Sequence, residues 1–295
     1  MNGPSARISA QAKINLHLRV LARESSGFHS IETIFHRVEL ADEVEVQVTN
    51  GERVIDVAGA ELGAPGSNLA YRAAVSYSAR AGWPAGFRIE LTKHIPVGAG
   101  LGGGSADAAA VLRTLDMLSP NPMGAHTLME LASDLGSDVA FLTGDAAMAL
   151  AWGHGERMME LPSLPSRDLL LMTPDFAVST ADAYRWLDED LRDGSSPPCP
   201  AALALRPEDL SRWEDIARFA RNDFEGLVSA RYPEIADTLR DLRSGESSFA
   251  QMTGSGSTVY SLIDRGTESP IAGRSGFTTR HTTTAIAVAT PVRLT

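Results

Sequence analysis

Twelve consecutive residues, Pro96-Val97-Gly98-Ala99-Gly100-Leu101-Gly102-Gly103-Gly104-Ser105-Ala106-Asp107, have the composition of an anion cradle. Five of the seven positions from 98 to 104 are glycine, so no Cβ holds a ligand away and successive N–H groups can converge on a phosphate. Behind the loop, Ala106, Ala109, Ala110, Leu112 and Leu115 recur with helical spacing, and Ser105 stands where an N-cap belongs. The positive end of that helix would face the bound anion. Two familiar phosphate loops do not fit. The NTPase P-loop ends in Gly-Lys-Ser/Thr, and no Gly-Lys pair occurs in the chain. Gly98 to Gly103 satisfies G-x-G-x-x-G, but a dinucleotide fold wants a strand buried on both faces ahead of the loop, whereas Phe87 to Thr92 alternates apolar and polar. About twenty residues on, where a ribose-binding acid belongs, the chain reads Asn121-Pro122-Met123-Gly124. A turn that merely joins a strand to a helix needs fewer glycines.

Other residues could complete such a site. Of 26 basic residues only Lys13 and Lys93 are lysine. They are either chance survivors of an arginine bias or positions that need a compact ammonium. Lys13 lies in an alternating stretch in which Ile14, Leu16, Leu18 and Val20 face a core and Lys13, Asn15 and His17 share the opposite face. That face serves either solvent or a ligand. Phe28 and His29 form a turn, either a core ring beside a surface imidazole or an aromatic face for a base. Asp138 falls at an expected helix-to-strand junction, where a carboxylate behind a helix C-terminus is disfavoured unless a cation is near. It is either a turn former bonded to its own backbone or a functional acid.

The elements that must position these groups follow from periodicity. One or two strands are expected over Arg7 to Val20, one over Ile31 to Val38, and a hairpin or meander from Val44 to Val48 and Val54 to Val57. Helices are expected from Ser67 to about Ala81, ended by Gly82 and Pro84; behind the glycine loop; and from Pro122 to Leu135. Ala146 to Trp152 reads as a buried strand, and Gly153-His154-Gly155 closes the first unit. Beyond Pro162, a strand at Leu169 to Met172 precedes helices over Thr180 to Asp190, Pro207 to Phe224 and Pro233 to Arg243. Strands at Phe249 to Met252, Ser257 to Ile263 and His281 to Ala289 complete an α+β chain of two lobes, 1–160 and 161–295.

With 295 residues, 43% of them hydrophobic, two ordinary cores are affordable in surface terms. The net charge of −11 argues against a nucleic-acid partner. No apolar run reaches the roughly eighteen residues of a membrane span, and the first residues lack a signal-peptide pattern, so a cytoplasmic protein, monomeric or weakly dimeric, is expected. Cys199, the single cysteine, sits in an expected flexible loop from Ser195 to Pro200 and can form no internal disulfide.

Ala12-Lys13-Ile14-Asn15-Leu16, Pro96 to Asp107 and Met252-Thr253-Gly254-Ser255-Gly256-Ser257 resemble, in order, the three motifs of the GHMP small-molecule kinases. Gly27-Phe28-His29, Leu135 to Val139, Asn222 to Glu225 and Tyr232 to Ile235 are similar to the branch whose substrate is linked to cytidine diphosphate. The resemblance implies a two-lobed fold, a ribosomal-protein-S5-domain-2-like lobe followed by a ferredoxin-like α/β lobe. It also implies an ATP-dependent alcohol kinase assisted by Mg²⁺. On that resemblance Asp138 takes the proton of the attacking hydroxyl and Lys13 is its partner. Pro96 through Ala106 wrap the triphosphate, with Ser105 on the metal and with Asn68 and Lys93 toward adenosine. Phe28 stacks on cytosine, His29 reads its edge and Asn15 lies by the substrate hydroxyls, while Gly254, Ser255 and Gly256 close over the transfer site. Phe28 replaces the tyrosine usual in the family, Ala140 a frequent proline, and Ser137 a frequent alanine. A sister kinase for homoserine, mevalonate or a sugar is the alternative within the superfamily. A non-catalytic sensor is the alternative outside catalysis.

Overall fold

In the computed structural model, which describes residues 3–25, 27–192, 207–245, 249–263 and 273–294, the alternating N-terminal stretch is one long strand, β1 (Ser5–Arg23). It pairs antiparallel along its length with β2 (His29–Thr49). The stretch from Ile31 to Val48 is thus continuous, and β2 changes neighbours midway. β3 (Arg53–Ala58) and α1 (Leu69–Ala81) come next; Asn68 caps α1 by accepting from Ala70 N at 2.9 Å, and Gly82 ends it in the left-handed conformation. β4 (Gly86–Thr92), α2 (Gly103–Leu118), α3 (Ala125–Leu135), α4 (Ser137–Thr143), β5 (Met148–Gly153) and β6 (Arg157–Leu161) follow. The first half of β2 pairs with β5 and the second half with β4.

The expected hairpin between Val44–Val48 and Val54–Val57 is not made. β4 takes the free edge of β2, and β3 adds outside it in parallel. Pairing there is decided by which strand fills an edge, a non-local choice that alternation along either segment cannot encode. β4 accordingly has an antiparallel neighbour and one wet face, which removes the dinucleotide-fold reading of the glycine loop.

The second lobe holds β7 (Asp168–Pro174), α5 (Thr180–Arg192), α6 (Trp213–Phe219), α7 (Glu225–Arg231), α8 (Pro233–Ser244), β8 (Phe249–Met252), β9 (Val259–Ile263) and β10 (Phe277–Thr283), and the chain ends with β11 (Val292–Leu294). Strands β10, β7, β9 and β8 form an antiparallel sheet in that order, whereas β11 crosses back to pair with β1. The helix expected from Pro207 to Phe224 is broken into a 3₁₀ turn at Pro207–Leu210 and α6. Beyond α6 the backbone leaves the helix to bond β1, with Leu18 N on Arg221 O at 2.8 Å and Asp223 N on Leu18 O at 3.0 Å. Cys199 and the loop from Ser195 to Pro200 lie outside the described residues. The architecture is α+β with two lobes, and no helix among the described residues is long and apolar enough to cross a membrane.

β1 belongs to both cores. Ile14 and Leu16 pack in one cluster with Leu112 and Leu115, while Leu18 joins Leu170, Met172 and Leu239 in the other. The register of β1 shifts between Gln11 and Lys13 and again between Asn15 and His17. Such bulges re-aim side chains. Lys13, Asn15 and His17 are therefore not on a wet face: all three are buried, and His17 turns its ring edge toward Phe219 at 5.5 Å.

His36 on β2 is fully buried, stacks on Trp213 at 5.4 Å, and donates from Nδ1 to Arg37 O at 2.8 Å. Burial pushes its pKa down to about 4. Between the ordinary value of 6.5 and about 4 the unfolded chain therefore holds a proton the folded one does not, and acid lowers stability across that window. His36→Phe keeps the stack, and Arg37 O keeps its bond from Ala285 N. In urea titrations between pH 7 and pH 4 the variant should lose less stability than the parent, by about 3 kcal/mol at most; parallel curves would remove His36 from the acid response.

Candidate active site

The glycine loop passes from β4 into α2 with Gly98, Gly100 and Gly102 all at positive φ. Two of them are demanded by close approach. A Cβ on Gly100 would lie 2.4 Å from Thr253 O, and one on Gly102 would lie 3.0 Å from the Lys13 stem. Gly102, not Ser105, is the N-cap residue of α2, and Ser105 is its third residue. This corrects the sequence expectation, and the reason is steric: the cap must adopt φ +71°, which glycine tolerates and serine does not. The correction strengthens the cradle, because the N–H groups of Gly103, Gly104 and Ser105 have no acceptor inside the helix. All three residues line the cleft.

Lys13 reaches this cleft from β1. Its Nζ donates to Asn15 Oδ1 at 2.8 Å and Gly100 O at 3.1 Å, and lies 3.4 Å from Asp138 Oδ2. Asn15 is fixed in turn, giving its amide hydrogen to Thr33 Oγ1 at 2.8 Å and its backbone N–H to Thr253 Oγ1 at 3.0 Å. Asp138 is not behind a helix at a strand start, as expected. Gly136, at φ 152°, ends α3 and opens α4, so Asp138 lies in the first turn of a new helix, where a carboxylate is favoured. At the other end of α4 the Arg37 guanidinium donates to Phe141 O at 3.0 Å and Gly144 O at 2.9 Å. Burial holds Arg37 down to about 9. Arg37 is the cross-strand partner of Lys13, so neighbouring β1 and β2 positions hold both ends of α4.

The third wall is the turn between β8 and β9. Asn222 Nδ2 donates to Met252 O and Gly254 O, both at 2.8 Å, and Thr258 N donates to Ala99 O at 3.2 Å, clasping this turn to the glycine loop. Ser255 Oγ lies 2.9 Å from Thr180 Oγ1 at the start of α5. Lys93 sits beneath the cradle. Its ammonium is spent on Asp42 and on Asp107 at 2.7 Å, all three side chains being buried. Asp42 also accepts from Ile95 N at 2.8 Å, so the triad ties the loop's approach to the first turns of α2. Burial, with Asp42 alongside and only partly offset by Lys93, pushes the Asp107 carboxyl above the usual carboxylate range. Asn68 likewise spends its carbonyl oxygen on the α1 cap, while the neighbouring Leu69 and Leu62 line the cleft.

The cleft has a volume of about 800 Å³ and opens into a second hollow of about 1270 Å³, with Gly136, Ser137, His154 and Tyr184 lining both. Phe28 stands at the far end, 63% exposed, with one face stacked on His154 at 5.1 Å. His29 stacks on Tyr184 at 4.7 Å. Thus Lys13, Asn15, Asp138, the glycine loop and Gly254 to Gly256 converge, and Phe28 and His29 lie along one arm. The sequence gives no role to Thr33, His154, Tyr184 and Asp188, and Thr253 enters only as a member of the third motif. Tyr184 and Asp188 are spaced i, i+4, which puts them on one helix face, a signal available in principle.

The models for the GHMP kinases N terminal domain and the GHMP kinases C terminal region match residues 68–151 and 201–274. A curated 4-diphosphocytidyl-2-C-methyl-D-erythritol kinase of Pelotomaculum thermopropionicum is 41% identical over 255 residues, covering 86% of this chain and 87% of its own. The chain belongs to the 4-diphosphocytidyl-2-C-methyl-D-erythritol kinase family. The family relative from Desulfotalea psychrophila is 36% identical over 87% of this chain and 85% of its own. A crystal structure of 4-(cytidine 5'-diphospho)-2C-methyl-D-erythritol kinase superposes with a TM-score of 0.73 at 33% identity, covering 95% of this chain and 99% of that one. A homoserine kinase from Cytophaga hutchinsonii shares the fold alone, at TM-score 0.69 and 19% identity over 98% of this chain and 97% of that one. The GHMP kinase fold read from the three motifs is therefore the fold of this chain.

In this family member, Lys93→Met should leave the buried Asp42 and Asp107 carboxylates without a cation. A destabilisation of about 3–5 kcal/mol in urea unfolding is expected. A change below about 1 kcal/mol would mean the triad does not hold the cradle.

Proposed function

We propose that this chain is a cytoplasmic enzyme that transfers the γ-phosphoryl group of ATP to the 2-hydroxyl of 4-diphosphocytidyl-2-C-methyl-D-erythritol, giving ADP and the 2-phosphate. The reaction belongs to non-mevalonate isoprenoid biosynthesis. One observation carries the chemistry: a single ammonium, Lys13, bonds the glycine cradle and lies beside the Asp138 carboxylate in the first hollow, next in sequence to Ser137, which lines both hollows. A phosphate donor in the first hollow and an alcohol in the second would meet there. Their combined space suits two nucleotide-sized ligands.

Phosphoryl transfer is mostly positioning and charge stabilisation. Residues Pro96 to Ala106 bind the triphosphate, with its terminal phosphate at the α2 N-terminus, and adenosine lies toward Leu62 and Leu69. The substrate hydroxyl sits against Asp138. As its oxygen bonds to the γ-phosphorus, the bond to the β–γ bridging oxygen breaks, Asp138 takes the hydroxyl proton and ADP leaves with the electron pair. Lys13 holds the carboxylate and the alcohol in line and offsets charge on the transferring oxygens, while Asn15 orients Lys13. Phe28 supplies the face, and His29 the edge contact, for cytosine.

Among the described residues no three His, Cys, Asp or Glu side chains cluster as a metal site. Mg²⁺ would be held chiefly by phosphate oxygens and water, with the Ser105 hydroxyl, in the first turn of α2 and lining the cleft, as the protein's contribution. Bound there, Mg²⁺ would neutralise phosphate charge.

The purified protein with MgATP should release ADP in a manner dependent on the cytidine substrate. Asp138→Asn should lower kcat by roughly 10²–10⁴ with little change in KM. Undiminished turnover in that variant would remove Asp138 as the base. Turnover of homoserine or mevalonate in place of the cytidine substrate would overturn the substrate assignment.

A further inference from the structure

The arm that ends at Phe28 contains an interaction the phosphoryl-transfer chemistry does not use. His29 Nε2 lies 2.8 Å from Asp188 Oδ1, a contact between residues 159 positions apart. The other carboxylate oxygen of Asp188 is 3.4 Å from Arg23 Nε, so the acid is held from two sides. The imidazole is 8% exposed, one face covered by Tyr184. Its Nδ1 has no protein partner among the described residues, although His29 lines the hollow. The ring is therefore oriented and carries one open nitrogen before any ligand arrives.

A carboxylate can only accept, so it places the imidazole proton on Nε2 and leaves Nδ1 as an acceptor in the neutral ring. An acceptor at that point matches the exocyclic amino group of cytosine. It opposes the carbonyl oxygen that uracil carries at the same ring position. We propose that Asp188 is the positioning residue that sets base selection, acting through His29 to make the arm accept an amino-bearing pyrimidine and reject a carbonyl-bearing one. The proposal rests on the reading of Phe28 and His29 as the base site. Asp188 does not touch the reacting atoms, so its effect belongs in KM and in discrimination rather than in the chemical step.

The test compares steady-state turnover of the cytidine- and uridine-diphosphate-linked methylerythritol substrates by the parent enzyme, Asp188→Asn and Asp188→Ala. An amide can turn its NH₂ toward Nε2, which moves the proton to Nδ1 and converts the acceptor into a donor. Asp188→Asn should therefore reduce the cytidine-over-uridine ratio of kcat/KM by about tenfold or more, through KM, with kcat on the cytidine substrate within about twofold. Asp188→Ala should raise KM for the cytidine substrate. Imidazole ¹⁵N shifts of the unmodified protein give a second readout that needs no variant: the proton should sit on Nε2 of His29. An unchanged ratio in Asp188→Asn, a proton on Nδ1, or equal loss on both substrates with a lowered Tm would each overturn the proposal. Failure of the parent enzyme to phosphorylate either substrate would instead sink the functional reading beneath it.

Discussion

The Lys13 ammonium is the group on which the site depends. It is buried, and a buried charge persists only where partners compensate its lost hydration. Three do so here: the amide oxygen of Asn15 on the same strand, a carbonyl of the glycine loop, and the carboxylate of Asp138 on α4. Each comes from a different segment, so satisfying one cation aligns three elements at once. The absence of a Cβ at Gly102 leaves room for the lysine stem, tying the glycine loop to the cation.

The surrounding scaffold repeats this device with other buried cations. Lys93 draws Asp42 and Asp107 together beneath the loop, and Arg37 collects the carbonyls at the end of α4. Arg37 faces the carbonyls at the end of α4, while Lys93 lines the cleft with its ammonium held by the two carboxylates. Both set the direction of a helix whose first turn borders the cleft, α2 through Gly103 to Ser105 and α4 through Ser137 and Asp138. β1 then couples the lobes, since its Leu16 and Leu18 belong to different cores and its backbone bonds the segment around Asn222. Asn222 reaches on to the Gly254 turn that closes the cleft. Cleft geometry and lobe packing are one construction, and a bulge in β1 is where they meet.

Much of this was legible in local pattern. Glycine spacing announced the tight loop ahead of α2, alternation announced β1 and β4, and Gly82 marked the end of α1, whose start lies two residues beyond the expected Ser67. Those features depend on steric rules acting over a few residues, so a single segment carries them complete. The three ordered motifs extended that reach to the fold and the family, because they name segments that must converge even where their contacts are unknown.

Only tertiary structure decided the remainder. It placed β4 between β2 and β3, made Gly102 the cap in place of Ser105, moved Asp138 into the first turn of α4, and turned His17 away from Lys13 and Asn15. It also occupied Lys93 with two carboxylates and set Asp188 against His29. The physical reason is common to all of them. Periodicity states which face of an element is buried, but the partner on that face, and with it the direction of every hydrogen bond and charge, is chosen by segments tens to hundreds of residues away that compete for the same space.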